Sequence, residues 1–130
     1  MNKIIVRLML FLPGFFLFSC IGKEEVEHLQ CQLEATTDEI EGNNIMVIYA
    51  IEGNGNYHVD SWVYLAPEGE IKKQSLALPV SDTLFFSSRV IPKTTAKVKV
   101  TDGWVRIGFK AQTEDKEFSG SDKCEQYINP

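Results

Sequence analysis

The stretch AKVKVTDGWVRIGFKA, from Ala96 to Ala111, decides the fold class of this 130-residue chain. Apolar residues alternate with polar ones on both sides of Asp102-Gly103. This period of two is typical of a β-strand that places one face in a core and the other in water. Asp-Gly between two alternating runs is also a strong signal for a two-residue hairpin turn. The stretch therefore predicts two antiparallel strands joined at Asp102-Gly103.

Similar patterns extend along the rest of the chain. Residues 29–35 alternate in the same way, and this alternation favours a strand over the helix that the spacing of residues 26–33 would also fit. Ile45–Ile51 is nearly all apolar, β-branched and aromatic, which predicts a central strand covered on both faces. The turn signal Gly53-Asn54-Gly55-Asn56 predicts a hairpin to the next strand. Further candidate strands cover residues 57–66, 83–91 and 123–128.

These patterns predict a single all-β domain over residues 29–130. About seven or eight short strands with frequent turns, in about 100 residues, are typical of an antiparallel β-sandwich. The domain resembles immunoglobulin-like and fibronectin-like domains in architecture only. Cys31, Trp62 and Cys124 occur in the expected order, but the two cysteines are too widely spaced for the inter-sheet disulfide of those domains.

The N-terminal residues carry a targeting signal. Met1-Asn2-Lys3-Ile4-Ile5-Val6-Arg7 is followed by an apolar run from Leu8 to Phe18, and a basic start before a short apolar run is typical of a secretory signal peptide. As a helix this run would reach about 16 Å, against a hydrocarbon core of about 30 Å, so a permanent transmembrane helix is the weaker interpretation. We predict that residues 1–19 form the signal peptide.

Leu17-Phe18-Ser19-Cys20 resembles the lipobox of bacterial lipoproteins, although Phe18 departs from the small or aliphatic residue usual at its position. The resemblance implies that Cys20 is lipidated, becomes the mature N-terminus and anchors the chain to a membrane; an ordinary cleavage site is the alternative. Ile21-Gly22-Lys23-Glu24-Glu25 resembles the export signal of Bacteroides-group surface lipoproteins. This implies attachment to the outer membrane with outward display, a periplasm-facing location being the alternative. Residues 20–28 would then be an acidic tether.

Cys31 and Cys124 remain after Cys20 is assigned to lipid. An even number of cysteines in an oxidising compartment favours a disulfide between them, near the two ends of the mature chain. Two separate buried thiols are the alternative. The sequence has no CxxC motif and no Cys/His spacing typical of zinc, so we predict no metal and no cofactor.

The charge of the mature chain excludes one class of partner. Removing the signal peptide removes Lys3 and Arg7 and leaves 11 basic and 18 acidic residues, a net charge near −7. Such a domain lacks the basic surface that general nucleic-acid binding needs. Residues 24–41 hold seven acids and no lysine or arginine, whereas residues 89–110 hold six bases and one acid. Opposed patches of this kind can steer a charged partner, although exposed charges usually only solvate a surface.

No residue pattern indicates catalysis. His58, Asp60 and Ser61 are the residue types of a catalytic triad, but strand alternation places Ser61 on the opposite face from the other two. His28 is the only other histidine. A nucleophile elbow, a phosphate-binding loop and a distinguished carboxylate pair are all absent from the sequence. We therefore predict that the chain is not an enzyme.

The candidate binding residues are aromatic. Trp62, Tyr64 and His58 fall on one face of a predicted strand, and Trp104 lies in the polar phase of another. Exposed aromatic planes can stack on sugars or anchor a protein partner; alternatively, Trp62 fills the core with Tyr64 beside it.

Asp82-Thr83-Leu84 resembles the acceptor pattern for O-glycosylation in secreted Bacteroides-group proteins. The resemblance makes Thr83 a candidate modification site. Alternatively, Thr83 simply opens a strand.

Together these features predict a non-enzymatic, lipid-anchored binding or accessory module of the cell envelope, with a glycan or an envelope protein as ligand. One alternative is an inhibitor or immunity-type lipoprotein that captures a toxin or hydrolase through charge. Another is a structural subunit of an envelope assembly.

Overall fold

The computed structural model describes residues 27–128 of the chain. The predicted signal peptide, Cys20 and most of the predicted tether lie outside the described residues. Within this range the chain forms antiparallel strands, which confirms the all-β prediction. No helix able to span a membrane is found between residues 27 and 128. The strands are β1 (Leu29–Thr36), β2 (Ile40–Glu41), β3 (Ile45–Ala66), β4 (Gly69–Lys73), β5 (Val80–Phe86), β6 (Arg89–Val90), β7 (Lys93–Gln112) and β8 (Glu117–Gln126).

Two long strands, β3 and β7, form the spine of the domain and pair with each other along most of their length. β5 and β4 flank β3, whereas β8 and β1 flank β7. One layer therefore contains β5, the first half of β3, the second half of β7, and β8; we name it the β5–β8 layer. The other, the β4–β1 layer, contains β4, the second half of β3, the first half of β7, and β1. The short strands β2 and β6 form a separate sheet.

The two layers face each other because both long strands bend. In a straight strand Tyr49 and Tyr64 would lie about 50 Å apart, at roughly 3.3 Å per residue. Their ring centroids are instead 5.1 Å apart. The main-chain N–H of Lys93, at the start of β7, also donates to the Tyr49 hydroxyl at 3.4 Å. The architecture is thus a β-sandwich whose two layers share two continuous strands.

The hairpins predicted at Gly53–Asn56 and at Asp102-Gly103 are wrong. Both segments lie inside continuous strands and pair with each other there. Gly55 lies opposite Gly103, and the φ angles of the two glycines are 94° and 138°. A Cβ atom on Gly55 would overlap the carbonyl oxygen of Asp102, and a Cβ atom on Gly103 would overlap that of Asn54. These glycines therefore permit a close approach of two strands, not a tight turn.

In β7 the alternation of apolar and polar residues shifts by one position at the predicted turn, and the structure shows that this shift is a β-bulge. Buried residues of β7 are even-numbered up to Val100 and odd-numbered from Thr101 onward. The ladder between β3 and β7 shifts register at this point, and it shifts again between Val59 and Ser61. A bulge adds an unpaired residue, bends the strand and increases its twist. The glycines and the bulges together bend the spine.

Other boundaries also differ from the predictions. The candidate strand 83–91 is divided into β5 and β6, and the last strand begins at Glu117 instead of residue 123. β4 was not predicted. The alternation of β8 is hidden because its inward position 120 is a glycine, at which an added Cβ atom would lie 2.7 Å from the ring of Phe109. An apolar side chain from the neighbouring strand fills that space.

Only one face of Ile45–Ile51 is covered, which corrects the prediction that both are. The odd-numbered side chains are fully buried between the layers. Met46, Ile48 and Ala50 point away from the core and are half-buried. The reason is architectural, since a two-layer sandwich has no third layer to cover the outside of the β5–β8 layer.

Cys31 of β1 and Cys124 of β8 are joined as a disulfide, with 6.1 Å between their Cα atoms. β1 and β8 pair with successive parts of β7, so the bridge links the two layers along one side of the sandwich. The main-chain N–H of Glu34 also donates to the Asp122 carboxylate there, at 3.0 Å. Closing a loop this long stabilises the fold by up to about 4–5 kcal/mol in the chain-entropy model.

We expect Gly103→Ala to destabilise the domain by at least about 3 kcal/mol, because backbone strain at positive φ adds to overlap with the Asn54 carbonyl. Gly69→Ala is the matched control, since Gly69 also has positive φ (130°) but no atom lies within 4 Å of its added Cβ. Its expected cost is about 1 kcal/mol. Urea unfolding measures both. Equal losses in the two variants would show that the close approach of β3 and β7 is not under steric constraint.

Candidate functional site

Two of the four predicted binding residues lie in the core. Trp62 is fully buried and Tyr64 is 1% exposed, with 4.6 Å between their ring centroids. The Trp62 indole N–H donates to the Thr94 hydroxyl at 2.9 Å, and that hydroxyl donates to the carbonyl oxygen of Val63 at 2.9 Å. The structure thus shows the core alternative for both aromatic residues, whose rings are not available to a ligand.

The hydroxyl groups of the aromatic core are held neutral. Tyr64 donates to the Asp82 carboxylate of β5 at 2.5 Å. Burial raises the pKa of Tyr64 well above its ordinary value, and the hydrogen bond and negative charge of Asp82 raise it further. Burial also raises the pKa of Tyr49, against a smaller opposing effect of its hydrogen bond from the Lys93 N–H. This network stabilises the fold and offers no acid or base to a substrate.

His58 does not share a face with Trp62 and Tyr64, which corrects the prediction. The register shift between Val59 and Ser61 reverses the phase of β3, so His58 points outward from the β4–β1 layer. Its Nε2 lies 3.2 Å from Oδ1 of Asp60, and the Lys99 ammonium lies 3.9 Å from the same oxygen. His58 is therefore part of an exposed charged cluster.

The histidines and Ser61 do not form a catalytic or metal site. His28 and His58 line one shallow depression, where Nδ1 of His28 is 2.6 Å from the Thr101 hydroxyl. Ser61 was predicted to lie on the opposite face of the strand from His58, but the bulge places it on the same outer face. There it lines a different depression. Across residues 27–128 no group of three or more His, Cys, Asp or Glu side chains is placed to hold a metal ion.

Trp104 lies on the outer face of the β5–β8 layer. It is half-buried and lies opposite Asn54 on one side and Glu125 on the other. Next along β7 comes Arg106, which donates to the Glu52 carboxylate across the sheet with Nε at 2.9 Å. The structure therefore separates Trp104 from the three other predicted binding residues, and its role in binding stays a prediction.

The outer face of the β5–β8 layer also carries an apolar region that the binding predictions missed. Met46, Ile48 and Ala50 lie on it, and Phe85 of β5, directly opposite Met46, is 62% exposed. The sequence contained the signal for this region, because Ile45–Ile51 is apolar in both phases of the strand period. A row of apolar side chains that faces away from the core is either covered by another layer or available to bind a partner.

A depression of about 600 Å³ lies beside these residues, across β3, β7 and β8. Ala50 and Gly108 face each other across the ladder at its floor, and their small size leaves the space open. Ile48 and Lys110 border it on one side, and the ion pair between Arg106 and Glu52 borders it on the other. Among the described residues Lys110 has no carboxylate within ion-pairing distance. The depression thus combines an aliphatic wall with one free positive charge.

Thr83 is at the centre of β5 and its side chain is exposed. The neighbouring Asp82 points the other way, toward Tyr64. A modifying enzyme could reach Thr83 in this position, and its O-glycosylation stays a prediction. The alternative that Thr83 opens a strand is wrong, because β5 begins at Val80.

Within residues 27–128, the acidic and basic segments of the sequence lie beside each other. β1 pairs directly with the first half of β7, and Glu34 lies 3.8 Å from the Lys93 ammonium. Glu39 lies 3.6 Å from the Arg89 guanidinium in the same region. Charges that are segregated along the chain are therefore neighbours in the fold, which weakens the argument for steering by opposed patches.

Comparison with known proteins assigns the chain to no family. No family model, no curated protein and no solved structure matches it.

The buried tyrosines predict a loss of stability in alkali. Because the folded state holds the Tyr64 proton above the ordinary pKa of 10.0, the unfolded state binds fewer protons above about pH 10, and the free energy of unfolding falls as pH rises. Tyr64→Phe should flatten this decline while lowering stability at neutral pH by about 1 kcal/mol through loss of the Asp82 hydrogen bond. Urea unfolding at several pH values measures both effects. An alkaline slope identical to that of the wild type would contradict the role of Tyr64.

Proposed function

We propose that this chain is a non-enzymatic, lipid-anchored binding module of the cell envelope, held by Cys20, with the outer face of the β5–β8 layer as its binding surface. The observation that carries the choice of surface is the outward-facing, half-buried apolar group Met46, Ile48 and Ala50, beside a depression with the free charge of Lys110. The envelope location rests on the lipobox and export-signal resemblances.

The position of the first described residues is compatible with a tether. The carbonyl oxygen of Glu27 accepts a hydrogen bond from the Gln126 side chain at 3.0 Å. The same side chain donates to the carbonyl oxygens of Val100 and Thr101, next to the bend of β7. A tether would therefore enter at the bent end of the sandwich and leave the outer face of the β5–β8 layer uncovered by that contact.

The chemistry of this surface favours an envelope protein over a glycan as ligand. Glycan stacking requires accessible aromatic planes. Trp62 and Tyr64 are buried, and the exposed Phe85 ring does not line the depression. The aliphatic wall formed by Ile48 suits an apolar protein segment, and Lys110 suits a carboxylate beside it. Trp104, at the end of the same face, keeps glycan binding as the second candidate.

The inhibitor or immunity alternative depends on electrostatic capture by a charged patch. The acidic segment pairs with the basic segment between β1 and β7 at Glu34 and Lys93, and outside those strands at Glu39 and Arg89, which weakens the support for such a patch. The structural-subunit alternative would use the same apolar face as a permanent interface, with no exchange of ligand.

The anchor is tested by Cys20→Ala in the full-length chain. We expect this variant to lose the mass of the lipid and to leave the membrane fraction, since each buried methylene contributes about 0.8 kcal/mol to anchoring. Mass spectrometry and membrane partitioning measure the two effects. Unchanged mass with continued membrane binding would favour a retained transmembrane helix.

The binding surface is tested by Ala50→Lys, which fills the depression with a charged side chain without touching the buried face of β3. We expect it to reduce capture of a protein from envelope extract about tenfold or more, the effect of disrupting a central apolar contact. Thr95→Lys, on the outer face of the other layer, is the matched control and should capture the protein normally. Affinity capture with a glycan array in parallel measures the result.

The outcomes separate the candidates. Glycan binding that is lost in Trp104→Ala and kept in Ala50→Lys would favour the glycan function. Capture that weakens as salt rises and persists in Ala50→Lys would favour the inhibitor function, because exposed charges are screened over about 8–10 Å. Capture unaffected by both substitutions and by salt would place the binding surface elsewhere.

A further inference from the structure

The free edge of β5 differs from the other sheet edges of the described chain. β5 pairs with β3 on one side only. The backbone hydrogen bonds that residues 27–128 make outside the strand ladders join Gly42 to Ser88 and Thr113 to Lys116, so none of them covers β5. A row of main-chain N–H and C=O groups on β5 is therefore open to another strand.

The other outer strands are protected. β4 is short and carries Glu70 and Lys72, and β8 carries Asp122 and Lys123. β1 is bridged to β8 by the disulfide. Charged side chains, short length and covering are the usual means by which proteins prevent edge-to-edge pairing.

β5 has none of these protections. Its one charged residue, Asp82, is engaged by the Tyr64 hydroxyl on the inner face. The outward side chains are Ser81, Thr83 and Phe85, and the register with β3 contains no bulge. Phe85 is the most exposed of the large apolar side chains in the described range, at 62%.

We propose that a second copy of this chain pairs with β5, so that the two β5 strands run antiparallel about a two-fold axis at Thr83. A two-fold interface uses the same surface on both copies, so the strand must be complementary to itself. Val80–Phe86 has seven residues with Thr83 at its centre. The symmetric register therefore pairs Thr83 with itself and leaves no residue of the strand unmatched.

The side chains fit this register. Phe85 lies opposite Ser81 of the second copy, which covers part of its exposed ring, and Thr83 lies opposite Thr83, a favourable cross-strand pair. Asp82 lies opposite Leu84, so no charge directly faces a like charge. The net negative charge of the domain opposes close approach of two copies elsewhere, whereas the outward row of β5 is uncharged. The pairing joins two four-stranded layers into one sheet and is independent of the ligand proposed above.

The test is a cysteine scan of β5 in the full-length chain in membranes. In the proposed register the Thr83 Cα atoms of the two copies lie about 4.5–5.5 Å apart, within the reach of a disulfide. We expect Thr83→Cys to form a disulfide-linked dimer under mild oxidation, read on non-reducing gels, with Cys31 and Cys124 still bonded. The wild-type chain gives the background from its own cysteines.

Ser81→Cys is the matched control. Its Cα atoms would be roughly 13 Å apart in this register, beyond the limit of about 7 Å, so we expect about tenfold less dimer than with Thr83→Cys. A mixture of Ser81→Cys and Phe85→Cys chains should link efficiently, because these positions lie opposite each other. Thr83→Lys should abolish association in sedimentation analysis of the detergent-solubilised chain, whereas Ser119→Lys, on the opposite outer strand of the same layer, should not.

Several results would overturn the proposal. These are a Thr83→Cys chain that gives no more dimer than the wild type, equal linking at positions 81 and 83, and association that survives Thr83→Lys. An intact mass showing a glycan on Thr83 of the wild-type chain would also overturn it, since that modification and the strand pairing exclude each other.

Discussion

Gly55 and Gly103 lie opposite each other in the ladder between β3 and β7, and neither position has room for a Cβ atom. The rest of the fold depends on this contact. Two strands of this length would otherwise extend side by side, with their apolar faces in water. With glycines at the contact and bulges beside it, the pair bends. Tyr49 and Tyr64, from the two halves of one strand, then pack against each other in a single core.

Sharing two strands between the layers also determines where the sheet edges lie. Every other strand of the main sheet is flanking, and each pairs with one half of β3 or β7. On the β7 side, the two flanking strands are joined by Cys31–Cys124. On the β3 side, the Tyr64–Asp82 hydrogen bond links the second half of β3 to β5 through the core, and the edge of β5 stays open. The bent spine therefore produces one closed side and one open side.

The sequence allowed the all-β content of this fold to be predicted, but not how the strands are connected. The period of two in residues 96–111 predicts strands correctly, because alternation depends only on which face is buried. It does not distinguish a hairpin from a bulge, because both shift the alternation of apolar and polar residues by one position and both favour Gly and Asp. The disulfide was predictable from the number of cysteines and the expected compartment. β8 was partly missed because Gly120, where the Phe109 ring packs, breaks its apolar alternation.

The candidate site was harder to predict, because a strand pattern shows periodicity without showing which phase faces the core. Trp62 and Tyr64 were assigned to a shared face with His58 by parity, and the bulge at Asp60 reverses that parity. For Ile45–Ile51 the information was in the sequence. Both the odd-numbered and the even-numbered residues are apolar, so in a two-layer domain one of the two sets must face outward. Trp62 and Tyr64, for which the sequence left both a surface and a core position open, thus stabilise the core, while aliphatic side chains expected to be covered lie on the outer face. Burying apolar area is the dominant favourable contribution to association. The outward-facing apolar side chains of β3 and the uncharged outward row of β5 are therefore the surfaces at which this domain gains most from a partner.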